Sequence, residues 1–126
     1  MNVLPAVGEL DPAGPLLQVR DAGRLALPID CATPLASVHA VGVRPEHWML
    51  TPGEGTDGLH ASVDAVERLD DATLVHCRLR GRDACTITVK TLWPGSDALP
   101  RGTRVRLEVR PRDLMLFDAQ GRALAA

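Results

Sequence analysis

From Arg104 to Arg110 charged and aliphatic residues alternate without a break, Arg-Val-Arg-Leu-Glu-Val-Arg. A β-strand sends successive side chains to opposite faces, so this run puts Val105, Leu107 and Val109 on a core and its four charged residues in water. A helix would spread both sets around its circumference and bury neither cleanly. The same period of two recurs upstream. Thr86-Ile87-Thr88-Val89-Lys90 repeats it with β-branched residues, which suit a pleated surface. Leu74 to Leu79 repeats it again, with Val75, Cys77 and Leu79 inward and His76 and Arg78 outward. Ala61 to Leu69 reads as a further strand whose apolar set, Ala61, Val63, Ala65, then slips to Val66. A slip of one residue predicts a β-bulge, which bends a strand as a small barrel requires.

The first third is choppier. Leu16 to Val19 and Arg24 to Leu27 read as short strands joined at the turn signal Asp21-Ala22-Gly23, and Val38 to Arg44 as a strand closed by Pro45. No segment sustains a helical period, and Pro111 to Leu114 has room for a single turn. Ten prolines and eleven glycines at short intervals fit many short strands with tight turns. The densest cluster, Pro52, Gly53, Gly55, Asp57 and Gly58, marks residues 51–58 as a loop. The expected organisation is an N-terminal β segment over residues 1–50, the loop 51–58, and a barrel over residues 59–126. The fold class is all-β: an OB-like small barrel with an additional small β-sheet from the N-terminal segment.

Composition removes several functions. The net charge is −2, Tyr is absent, Phe occurs once and Trp twice. A nucleic-acid surface needs a basic excess and stacking aromatics, so none is expected. No run of apolar residues reaches membrane-spanning length. Met1 to Gly8 lacks the basic start and long apolar stretch of a signal peptide. The chain holds no G-x-x-x-x-G-K-[ST], no G-x-G-x-x-G and no G-x-S-x-G. Catalytic residues, cofactors and metals are therefore not expected in this chain. His76 and Cys77 are adjacent on a strand and point to opposite faces, which argues against a zinc site drawing on both together with Cys85. Cys31, Cys77 and Cys85 are odd in number and widely spaced, as for free thiols in a reducing compartment. Asp70 and Asp71 fall between two strands and read as a solvated turn.

One stretch carries more information. Val41-Gly42-Val43-Arg44-Pro45-Glu46-His47 reads as a strand followed by a proline-set turn bearing a cation, an anion and an imidazole. It resembles the G-[IV]-R-P-E-H signature of the C-terminal domain in ABC importer ATPase subunits of the maltose and glycerol-phosphate type, the transport-associated OB domain. Residues downstream are similar in order: Val63 to Leu69, Leu74 to Leu79, Pro100-Arg101-Gly102 before Val105 and Leu107, and Leu114 to Asp118 before Gly121-Arg122. Met1-Asn2-Val3-Leu4 resembles the run that follows the ATPase core. Asp70 and Met115 depart from the family's usual Gly and His. The resemblance implies an ATPase core, with ATP and Mg, that would lie before Met1. It further implies a homodimer formed in part by this domain, membrane subunits contacted through the core, in some members a regulatory protein, and a cytoplasmic place at the inner face of the membrane.

Under this reading Arg44, Pro45, Glu46, His47 and Trp48 are the regulatory or interface candidates. Arg44 and Glu46 also suit an ordinary salt-bridged turn set by Pro45. Trp48 suits an interface anchor or a cap on the barrel. Phe117, after an apolar run, is read as core. The alternative function is a small-ligand domain similar to the sugar- or oxyanion-sensing relatives of this barrel, which would show convergent polar groups in a concavity.

Overall fold

The computed structural model describes residues 1–28, 34–53, 55–81, 85–91 and 99–124. Within them run β1 (Asn2–Pro5), β2 (Val7–Asp11), β3 (Gly14–Val19), β4 (Gly23–Ala26), β5 (Ala40–Val43) and β6 (Trp48–Pro52). There follow β7 (Leu59–Arg68), β8 (Thr73–Leu79), β9 (Thr86–Thr91), β10 (Arg104–Val109), β11 (Met115–Phe117) and β12 (Ala123–Leu124). Three 3-10 turns, Leu35–Ser37, Pro45–His47 and Pro111–Asp113, are the helical elements among the described residues. The last is the turn expected after Arg110. The fold is all-β and OB-like, as the alternation requires.

Five strands pair antiparallel in the order β6-β10-β7-β8-β9. β6 and β9 approach each other across the remaining gap, and the Pro45–His47 turn packs against β9. The result is a partly open five-stranded barrel. Val105 and Leu107 of β10, Ile87 and Val89 of β9, and Cys77 of β8 are at most 1% exposed, so the period-two reading holds strand by strand. β7 is bulged: Val63 faces Cys77 and Ala65 faces His76, leaving Asp64 as the extra residue. The bulge thus sits one position before the slip in the apolar pattern, and Ala65 faces solvent while Val66 packs against the core.

A second sheet runs β1-β5-β11-β12. β2, β3 and β4 form a meander that joins the barrel where Gly23 faces Leu59. Residues 51–58 are not all loop. Thr51 and Pro52 belong to β6 and face Arg106 and Val105, while β5 pairs with β11 across the whole barrel segment. One hydrophobic cluster takes in Leu4, Leu17, Val41, Trp48, Leu107 and Leu116. Strands of four to six residues cannot bury a face alone, so those of the first third must pack on later ones.

Gly23 shows how tight the junction is. Its φ is 136°, a region open to glycine and costly for other residues. A Cβ there would collide with the backbone carbonyl of Gly58. Cys77 and Cys85 are both free, Cys77 wholly buried and Cys85 partly so. Burial pushes the Cys77 thiol up to about 11. Cys31 lies outside the described residues.

Candidate functional site

The Arg44–Trp48 stretch is built by local rules. β5 ends at Val43, and Arg44 is extended at φ −71°, ψ 144°. Pro45 then opens the 3-10 turn, a position where its missing N–H leaves no bond unmade. The His47 N–H closes the turn by donating to the Arg44 carbonyl at 2.9 Å. Arg44 and Glu46 point into solvent, and Pro45 and His47 are half-buried. The Glu46 carboxyl is held below its ordinary range, chiefly by a backbone hydrogen bond; desolvation opposes this, and the charges of His47, Arg44 and Lys90 add to the lowering. Among the described residues no close ion pair joins Arg44 to Glu46, so the turn is not the salt-bridged one its sequence allows.

The turn's observed work is to cover β9 at the barrel's open side. Trp48 is 4% exposed and sits in the core, facing Val109 in the ladder. A ring buried that far has no surface to seat in a partner, which removes the anchor reading and leaves a core residue. Among the described residues its Nε1 is buried without a hydrogen-bond partner, as is Nδ1 of His47. His76 is engaged by Thr88 through Nδ1 at 3.1 Å and by Glu67 through Nε2 at 2.9 Å. It is turned away from Cys77, as strand geometry demands.

The broad surface lies elsewhere. In the β1-β5-β11-β12 sheet, Leu4, Val41, Val43 and Leu116 face the core. The opposite face aligns Val3, Gly42 and Met115 in one cross-strand row and Pro5, Ala40, Phe117 and Ala123 in the next. Each of these side chains is apolar. Val3 is 53% exposed and Met115 38%. Met1 and the Phe117 ring close over Gly42, where a Cβ would lie 2.9 Å from each of them. Phe117 is therefore half-buried on this outer face and not in the core. Sequence reasoning missed the patch, although one signal was present: Leu114 to Phe117 is apolar on both faces, where a solvated strand alternates.

Comparison with known proteins agrees with this architecture. The model of the TOBE domain family matches residues 41–117, from β5 through β11. The chain is 34% identical over 122 residues to the sn-glycerol-3-phosphate import ATP-binding protein of Chromobacterium violaceum, covering 95% of this chain and 30% of that protein. It is 31% identical over 121 residues to the protein of the same name from a Ruegeria species, with 95% and 30% covered. It is 32% identical over 84 residues to the maltose/maltodextrin import ATP-binding protein of Vibrio parahaemolyticus, with 67% and 22% covered. The chain spans less than a third of the length of these curated relatives. With the Arg-Pro-Glu-His turn inside the matched span and the strands around it forming an OB-like barrel, the chain belongs to the TOBE domain family.

Proposed function

We propose that this chain is the regulatory and dimerisation domain of an ABC importer ATP-binding subunit for glycerol-phosphate or sugar-like solutes. Two of the relatives just described carry glycerol-3-phosphate in their names and one maltose. The ATP chemistry those names require has no motif in these 126 residues, so it belongs to the part of the relatives that this chain does not span. The domain itself is then not an enzyme and binds no cofactor. It works in the cytoplasm at the inner face of the membrane, where the remainder of the subunit meets the membrane subunits and a regulatory protein has access. Among the described residues no helix is long and apolar enough to cross a membrane.

The observation that carries the dimer reading is the uncharged outer face of the β1-β5-β11-β12 sheet. Contiguous exposed apolar patches mark contact sites. A two-fold axis lets one such patch serve both partners. A standard interface takes about 800 Å² from each partner, and four short strands supply part of that area, the rest falling to the longer subunit. Sedimentation velocity on the complete subunit without ATP, compared with Val3→Glu/Met115→Glu, tests it. The variant is expected to run as a monomer with its melting temperature retained. A variant that stays paired would sink the assignment.

A further inference from the structure

On the outward face of the barrel, Ser62 of β7 lies between Arg104 of β10 and Arg78 of β8. One step along, the His60 carbonyl accepts the Arg80 N–H at 2.9 Å, so Arg80 stands beside His60 as Arg78 stands beside Ser62. These five residues line a cleft of about 580 Å³ together with Gly53 and Gly81. No carboxylate lines it among the described residues. Two arginines elsewhere are paired, Arg24 with Asp11 at 3.8 Å and Arg101 with Asp64 at 3.6 Å. Arg104 is already engaged and forms one wall of the cleft. Arg78 and Arg80 make no ion pair among the described residues.

Like charges brought together on one sheet face repel, and this chain concentrates three guanidinium groups there against a net charge of −2. An anion between them reverses the sign of that interaction. The planar fork of arginine matches the spacing of phosphate oxygens and binds them through two parallel N–H donors. Ser62 and His60 add polar groups at the floor. The volume falls within the ~300–1,000 Å³ range of small-molecule sites and exceeds what a bare tetrahedral ion fills.

We infer that the Arg78–Arg80–Arg104 cleft binds the phosphate group of a small organic phosphate monoester. Arg78 and Arg80 grip the phosphate, Ser62 and His60 orient it, and the space toward Gly53 and Gly81 takes the organic part. A nucleic-acid phosphate fits less well, because among the described residues no Phe, Tyr or Trp lines the cleft for a base to stack on.

The test is a titration of the labelled 126-residue chain followed by amide chemical shifts at constant ionic strength. The probes are sn-glycerol 3-phosphate, inorganic phosphate and a thymidine oligonucleotide. Saturable shifts at Ser62, Arg78, Arg80 and Gly81 are expected with the glycerol phosphate, and weaker ones with inorganic phosphate. Affinity should fall about tenfold or more in Arg78→Gln/Arg80→Gln, a loss of ~1.4 kcal/mol or more, and stay unchanged in Arg112→Gln, an exposed control. Scattered unsaturable shifts, or binding that survives the double substitution, would overturn the site. Equal affinity for inorganic phosphate would overturn the ester assignment, and tighter oligonucleotide binding would overturn the small-molecule one. The readout is independent of subunit pairing, so its failure is distinct from failure of the dimer reading.

Discussion

The side-chain amide of Asn2 pairs with the backbone of Thr88, accepting from its N–H at 3.3 Å and donating to its C=O at 2.9 Å. Among the described residues β9 has a strand partner on one side only, and the Thr88 backbone groups face outward from the ladder. The amide satisfies both, as a neighbouring strand would. β1 itself pairs with β5. One side chain therefore ties the four-stranded sheet to the open edge of the barrel, on the strand that the Pro45–His47 turn also covers.

Removing that tie leaves two backbone groups to find water. Asn2→Ala is expected to lose about 1–3 kcal/mol, two hydrogen bonds at their usual net worth. Hydrogen exchange at the Thr88 amide should accelerate while exchange at Val89, which packs in the core, changes less. A denaturant midpoint that does not move would show that water replaces the amide without cost.

Gly23→Ala places a Cβ where φ is 136° and where the Gly58 carbonyl already stands. Both obstacles are backbone, so neither yields by rotating a side chain. A loss of about 2–3 kcal/mol follows from the conformational strain alone. Urea unfolding measures it, and a loss below about 0.5 kcal/mol would mean that the β4–β7 junction opens freely.

Trp48 separates packing from hydrogen bonding. Trp48→Ala should cost about 3–5 kcal/mol through the cavity it leaves in the core. Its Nε1 has no partner, so Trp48→Phe should cost far less, about 1.5 kcal/mol, with subunit pairing preserved. Loss of pairing in the Phe variant at unchanged stability would restore the anchor role that the burial of Trp48 removes.

Glu46 predicts a pH dependence. Its folded-state carboxyl is held below the ordinary value, first by the backbone hydrogen bond and then by the charges of His47, Arg44 and Lys90. A depressed carboxylate adds stability that is present above the unfolded value of ~4.3 and disappears as pH falls through the lower folded value. Glu46→Gln should therefore be slightly less stable than the wild type at neutral pH and equal to it once pH has fallen below the folded-state value. A difference that persists unchanged in acid would assign the effect to packing of the side chain.

Which face of each long strand is apolar was legible in the sequence, because alternation is a property of the extended backbone at every residue. Val105 and Leu107, Ile87 and Val89, and Val75 and Cys77 were placed correctly from their spacing, as were the bent β7 and the proline-opened turn at Pro45. Family membership was legible for a related reason, since the Arg-Pro-Glu-His run is a local backbone device. β2 and β6 were not seen. Val7-Gly8-Glu9-Leu10-Asp11 has no clean period, and Trp48 to Pro52 ends in a residue that cannot donate to a ladder.

Only the tertiary structure decided what each face meets. Trp48 looked equally suited to a partner or to the barrel until the pairing of β6 with β10 turned it inward. Phe117 looked like core until β11 paired with β5 and left the ring over Gly42. Where the strands of residues 1–50 join the barrel was not visible until Gly23 met Leu59 and β5 met β11. Ser62, Arg78 and Arg104 come from three strands and Arg80 from the residue after β8, and no local pattern brings them to one cleft. Each of these outcomes depends on contacts between residues far apart in the chain. Such contacts form when many short strands together bury a surface that none of them could bury alone.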